Sequence, residues 1–277
     1  MTANSLMTGK RGLIMGVAND HSIAWGIAKQ LAAEGAQLAF TYQGEHFGRR
    51  VKPLAASLYS TQLYHCDVED AASMSAVFDA LRSTWGSLDF VVHAVAFSEK
   101  AELKGRYADT TRENFQRTML ISCFSFTEVT RLAAPLMQNG GALLTLTYGG
   151  SMRVMPNYNV MGIAKAALEA SVRYLAADFG ERGIRVNAIS AGPIRTLAGA
   201  GVSDARLMFN YQRENAPLRG GLGIEEIGGA ALYLLSDLSR AVTGEIHYVD
   251  CGYNIVAMPR LDRLKAGEEK PARDAAE

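Results

Sequence analysis

The chain lacks the features that would place it in several large functional classes. It has three cysteines in 277 residues, Cys66, Cys123 and Cys251. They are odd in number and far apart, which excludes a zinc-ligand spacing and a disulfide framework. Reduced, mostly buried thiols in a cytoplasmic protein are expected. An excess of either charge is also missing. Lys+Arg and Asp+Glu each number 28, so the formal net charge is zero and no global basic field exists to hold nucleic acid. No apolar run reaches the ~18 residues of a membrane-spanning helix. The short apolar stretch after Lys10-Arg11 reads as a strand rather than a signal peptide. No metal site is expected.

What is present is a soluble, globular composition, 48% hydrophobic and 20% charged. Strand-like runs alternate with helical patterns from end to end. The strands are expected at Gly12–Gly16, Gln37–Tyr42, Gln62–His65, Leu88–Val95, Ala142–Thr147, Arg185–Ser190 and Glu245–Val249. Several are continuous apolar runs (Leu13-Ile14-Met15, Phe90-Val91-Val92), as strands buried on both faces of a parallel sheet should be. Helices are expected over Ser22–Glu34, Glu45–Ser57, Ala71–Thr84, Thr111–Gln138, Asn157–Glu181, Ser203–Asn215 and Ile224–Leu235. Thr110 and Glu113 form a capping-box pattern for the fourth, and Gly35, Gly86 and Gly183 sit where left-handed caps close helices. This alternation implies an α/β fold, a single doubly wound parallel sheet of Rossmann type with helices on both faces. Residues 1–260 read as one nucleotide-binding and catalytic domain, and residues 261–277 as a flexible charged tail.

The first strand-to-helix connection points to a nucleotide. Gly16 ends the strand and Gly26 lies inside the helix, with Ser22-Ile23 at the helix start; the strict G-x-G-x-x-G is absent. Ser22 suits a helix cap, a phosphate donor, or both. The second strand ends at the neutral Gln43, where an acidic residue would accept from a ribose and an arginine would suit a 2′-phosphate. NAD is therefore expected over NADP. Asp67, with Val68 beside it at the third strand's end, suits either an adenine bracket or a helix cap. Small residues around Val95 permit close passage of a cofactor, and His93 reads as a packed histidine.

Tyr158 and Lys165 stand seven positions apart, with Tyr148 ten residues upstream of Tyr158. Seven steps of ~100° bring two side chains to one face of a helix. A nearby ammonium favours the ionised phenol and so makes it a better proton donor. Alone, the pair is read more readily as a core tyrosine and a solvated lysine.

Together these segments resemble the short-chain dehydrogenase/reductase superfamily, specifically its bacterial NADH-dependent enoyl-acyl-carrier-protein reductases. The resemblance rests on Gly16 with Ser22 to Ile27, Leu38 to Gln43, Cys66-Asp67-Val68, Leu143 to Tyr148, Pro156 to Lys165, and Arg185 to Ala198. Most of the superfamily places its lysine four residues after the tyrosine and a serine about thirteen before it. Here those positions hold Gly162 and Thr145, with Tyr148 as the second polar group.

The resemblance implies reduction of an enoyl thioester by NADH, with Tyr148, Tyr158 and Lys165 as catalytic residues. It implies cofactor contacts from Gly16, Ser22, Ile23, Gln43, Asp67, Val68, Val95, Lys165, Ile194, Arg195, Thr196, Leu197 and Ala198, and places Ser98 near the substrate. Acyl carrier protein is the implied partner, and a homotetramer through the fourth and fifth helices the implied assembly. A ketone or alcohol oxidoreductase of the same superfamily, or a catalytically silent nucleotide-binding relative, are the competing readings.

Two further expectations concern the substrate rim. Thr196–Gly201 is small and glycine-rich, as a mobile lid would be. Arg195, Arg206, Arg213 and Arg219 cluster near it and suit an acidic carrier. Gly220 to Glu225 carries three glycines where relatives have a basic residue and a capping threonine, so a weaker entry to the last helix, by ~1 kcal/mol, is expected.

Overall fold

A computed structural model describes residues 5–196, 205–219 and 221–259. Seven parallel strands form one sheet in the order β3-β2-β1-β4-β5-β6-β7. They are β1 (Arg11–Met15), β2 (Gln37–Tyr42), β3 (Gln62–His65), β4 (Phe90–His93), β5 (Gly141–Thr147), β6 (Ile184–Ala191) and β7 (Ile246–Val249). The chain steps outward from β1 to β3, then crosses back to β4. The strand order therefore reverses between β1 and β4, where ligands bind in such sheets.

The apolar runs split between two cores with the period of a strand. Leu13, Met15, Val91 and Leu143 enter one layer, while Ile14, Phe90, Val92, Ala142 and Leu144 enter the other. The first layer packs against α3 (Ala71–Trp85), α5 (Ser125–Ala133) and α6 (Asn159–Gly180). The second packs against α1 (Ile23–Ala33), α2 (Gly44–Ser57) and α8 (Ile224–Leu235). Gly26 and Gly228 let α1 and α8 touch: a Cβ on Gly26 would lie 2.5 Å from the Ile224 carbonyl oxygen.

The fourth helix departs from expectation. It divides into α4 (Arg112–Met119), a π turn (Leu120–Phe124), α5 and a closing 3₁₀ turn (Ala134–Leu136). Hydroxyls turned inward explain the break. Ser125 donates to the Ile121 carbonyl (2.6 Å), and Ser122 both accepts from the Phe97 amide and donates to the Phe97 carbonyl.

The caps are corrected too. Thr111, not Thr110, caps α4, accepting from the Asn114 amide at 3.2 Å, while Thr110 donates to the Tyr107 carbonyl. Asp70, not Asp67, caps α3. Gly35, Gly86 and Gly183 do adopt positive φ. Gly223 opens α8, where the Glu226 carboxylate accepts its amide at 2.8 Å. That bond is one half of a capping box; glycine has no side-chain oxygen to accept the Glu226 amide as a threonine would. Gly220 lies outside the described residues. α7 (Ala205–Asn215) completes the described helices, and none of these is long and apolar enough to cross a membrane.

Candidate active site

The carboxyl end of β5 delivers the site. Thr147 ends the strand, Tyr148 leaves it in extended conformation, and a tight turn over Gly149–Ser151 follows. Tyr158 is the residue immediately before α6. It is flanked by Asn157 and Asn159, both at positive φ, which asparagine tolerates better than most residues. The Asn159 amide donates to the Glu102 carbonyl (3.1 Å) and ties this irregular entry to the neighbouring loop. The Tyr148 and Tyr158 rings meet edge to face, centroids 5.1 Å apart. Gly150 makes that possible, because a Cβ there would lie 2.5 Å from the Tyr158 ring.

Lys165 is buried within α6 and donates to the Leu146 carbonyl of β5 at 2.8 Å. Burial pulls its ammonium down to about 8, against the opposing influence of Cys123 and Glu169. The phenols move the other way. Burial raises Tyr158 well above the ordinary phenol range, with Tyr148 and then Glu169 adding to the shift; Tyr148 rises to about 12, from burial and then Tyr253. The lowered phenol pKa expected from a nearby lysine is therefore not found: desolvation sets the direction, and Tyr158 is a neutral hydrogen-bond donor.

Thr145 and His93 do not face this site. Thr145 is buried and donates to the His93 carbonyl (3.1 Å), with the His93 Nδ1 at 3.2 Å. The His93 Nε2 lies 2.9 Å from the Ser125 hydroxyl, which donates to the Ile121 carbonyl. His93 is a core histidine, held neutral by burial and then by Lys165, which bring it down to about 3.

The candidate cofactor residues line the carboxyl edge around the β1/β4 reversal. Gly16 has φ +97°, and a Cβ on it would lie 2.1 Å from the Ala94 carbonyl oxygen. Only glycine fits this turn. Ser22 does not cap α1 with its side chain. Its hydroxyl accepts from the Ala18 and Asn19 amides (3.0 and 3.1 Å) and shapes the loop before Ile23. The uncapped first turn of α1 suits an anion. Gln43 donates to Asp67 at 3.1 Å, which joins the ends of β2 and β3 into one polar rim; Val68 is buried beside it. This glycine-only turn, open helix end and neutral-plus-acidic rim fit a dinucleotide without a 2′-phosphate.

Val95 packs on the first core. Ser98 donates to Asn114 (3.3 Å) and accepts from Thr118 (3.0 Å), so its hydroxyl is committed to fixing its loop on α4. Ile194 is buried and Arg195 exposed; both line a cleft of about 600 Å³ with Phe209, Gln212, Arg213 and Leu222. A smaller cavity of about 230 Å³ lies under Tyr148, between Met152, Ser190 and Tyr253. Leu197, Ala198 and most of the expected lid lie outside the described residues.

A family profile described as "Enoyl-(Acyl carrier protein) reductase" matches residues 16–254. The chain belongs to this family. It is 72% identical over 265 residues to "Enoyl-[acyl-carrier-protein] reductase [NADH] 2" of Rhizobium meliloti, covering 96% of this chain and 99% of that one. A crystal structure of FabI from Candidatus Liberibacter asiaticus is similar at TM-score 0.91 and 62% identity, covering 92% and 99% of the two chains. The Anaplasma phagocytophilum enoyl-acyl-carrier-protein reductase, solved in complex with NAD, is similar at TM-score 0.89 and 56% identity, covering 95% and 98%.

Within this family setting, two positions that sequence reasoning missed stand out. Thr147 and Glu169 are both buried, and the Thr147 hydroxyl donates to the Glu169 carboxylate at 2.6 Å. The signal was available: Glu169 is a carboxylate four residues after Lys165, between the apolar Leu168 and Val172.

Proposed function

We propose that this chain reduces the trans-2 double bond of enoyl-acyl-carrier-protein thioesters with NADH, the last step of the fatty-acid elongation cycle. One observation carries the reading. Tyr148 and Tyr158 meet edge to face at the carboxyl edge of the sheet, and Lys165 is buried on the helix that Tyr158 opens, held to the end of β5, while Thr145, at the place of the superfamily serine, is turned into the core against His93. The second point disfavours a ketone reductase, which needs that hydroxyl at its substrate.

Gly16, Ser22 and Ile23 would hold the pyrophosphate side of the cofactor, Gln43 the adenosine ribose, and Asp67 with Val68 the adenine. Val95 and Ile194 to Ala198 would line the remainder, and Lys165 would hold the nicotinamide ribose hydroxyls. When bound, the reduced nicotinamide supplies a hydride to the β-carbon of the substrate. Tyr158, kept neutral by burial, donates a hydrogen bond to the thioester oxygen as negative charge builds there. One preplaced donor of this kind contributes about 2.7–4 kcal/mol in a measured hydrolase. The α-carbon is protonated afterwards. Tyr148 fixes the Tyr158 ring and walls the pocket, and Ser98 holds the neighbouring loop beside the acyl chain. Arg195 and Arg213 on the cleft rim suit an acidic carrier protein. Residues 1–260 act as one domain, in a cytoplasmic homotetramer built through the α4–α5 and α6 faces. Exposed Phe124, Ile163 and Tyr174 on those faces support this assembly.

The test is a comparison of thioesters. Oxidation of NADH by crotonyl thioester, with little turnover of acetoacetyl thioester or of NADPH, is the expected result. Preferred turnover of the ketone would reject the reading.

A further inference from the structure

Lys165 and Glu169 lie one turn apart on α6 and both reach the last two residues of β5. Lys165 donates to the carbonyl of Leu146, and Glu169 accepts from the hydroxyl of Thr147 at 2.6 Å. All three side chains are nearly sealed: Thr147 is 4% exposed, Glu169 5% and Lys165 7%. The next residue along the strand is Tyr148, whose ring rests on Tyr158. A carboxylate buried this deeply costs several kcal/mol unless hydrogen bonds and a counter-charge offset it.

We propose that Glu169 is a positioning residue of this reductase: locked by Thr147, its carboxylate is the counter-charge that keeps the Lys165 ammonium in place and pins the strand end from which Tyr148 projects. The proposal rests on the reading of Lys165 as the group that holds the nicotinamide ribose.

The surrounding groups leave this task to Glu169. Lys165 is faced by Cys123 from the π turn and by His93 from β4. Burial raises the Cys123 thiol, which stays protonated, and His93 is neutral. Glu169 is itself faced by Tyr158 and, from β7, by Tyr248, and burial raises both phenols. Glu169 is thus the one carboxylate among the described groups acting on Lys165. An opposite charge favours the ionised form of its partner. Neutralising Glu169 therefore lowers the pH at which Lys165 gives up its proton, which already lies near 8. A clamp between helix and strand that served stability alone would leave that pH unchanged.

The experiment measures NADH dissociation constants by fluorescence across about pH 6–10, with kcat and KM alongside, for the parent, Glu169→Gln, Thr147→Val, Thr147→Ser and Lys165→Met. In the parent, affinity should fall as pH rises through about 8. In Glu169→Gln the fall should begin at lower pH, with NADH bound roughly two- to fivefold more weakly at pH 8, as expected when a midpoint near 8 moves down by about 0.5–1 on the pH scale. Thr147→Val should move the same way, and Thr147→Ser, which restores the hydroxyl, should return to the parent profile. If Glu169→Gln fails to fold, the threonine pair decides by the same criterion. A parent-like NADH profile in Glu169→Gln overturns the proposal while leaving the site reading intact, provided Lys165→Met weakens NADH. A Lys165→Met protein that binds NADH as tightly as the parent overturns both.

Discussion

Gly162 packs directly against the backbone of Gly150. A Cβ on Gly162 would lie 2.8 Å from the Gly150 carbonyl oxygen and 3.6 Å from the Tyr158 ring. The place where most of the superfamily carries its lysine is therefore filled by the turn that seats the two tyrosines. The seven-residue spacing has a steric cause: with Gly150 folded under Tyr158, the ammonium can enter only from the next turns of α6.

Gly162→Ala should accordingly lower the melting temperature. Alanine gains up to about 1 kcal/mol of helix propensity, but overpacking against a fixed backbone costs about 1–3 kcal/mol. Thermal denaturation measures the balance. Moving the lysine, with Gly162→Lys and Lys165→Ala together, should not restore NADH-dependent turnover.

The Gln43–Asp67 bond makes the polar rim at the ends of β2 and β3, proposed above to face the adenosine, a coupled unit. Gln43→Ala and Asp67→Ala should each weaken NADH several-fold. The double variant should lose less than the sum, because the partner's placement is already gone. A coupling of at least ~0.5 kcal/mol in a double-mutant cycle on the NADH dissociation constant is expected. Strict additivity would show that the two residues act separately.

His93 gives a stability signature in acid. Its folded pKa, about 3, lies below the ordinary 6.5, so between these values the unfolded chain binds a proton that the folded chain does not. Stability supplied by neutral His93 is thus complete above about pH 6.5 and is lost as pH falls toward 3. Relative to His93→Gln, the parent should hold its largest advantage near pH 7 and lose it progressively toward pH 5, as followed by urea unfolding. An advantage constant over that range would place the histidine's protonation elsewhere.

The sheet was legible because its central strands are buried on both faces, so their apolar runs survive without alternation, as in Leu13-Ile14-Met15. The Tyr158–Lys165 spacing was legible because it depends only on chain order. The π turn was not: Leu120 to Phe124 keeps helix-forming residues, and the break depends on where the Ser122 and Ser125 hydroxyls find partners, Phe97 being 25 residues from Ser122. Thr111 displaced Thr110 as the cap for a similar reason, since the distant Glu102 accepts the Thr111 amide and fixes where the helix starts. The direction of the Tyr158 shift was misjudged because charge order along a helix says nothing about desolvation. Glu169 escaped notice because its burial comes from β5 rather than from its own helix.

The most direct measurement of the central claim is NADH oxidation with a 2-enoyl thioester by the parent and by Tyr158→Phe, alongside NADH affinity and melting temperature for both. The phenylalanine keeps the ring contact with Tyr148 and removes only the hydroxyl. Turnover by the parent, with kcat reduced on the order of 10²-fold in the variant and affinity and melting temperature little changed, is the result this account requires. Turnover by Tyr158→Phe at the parent rate would contradict it.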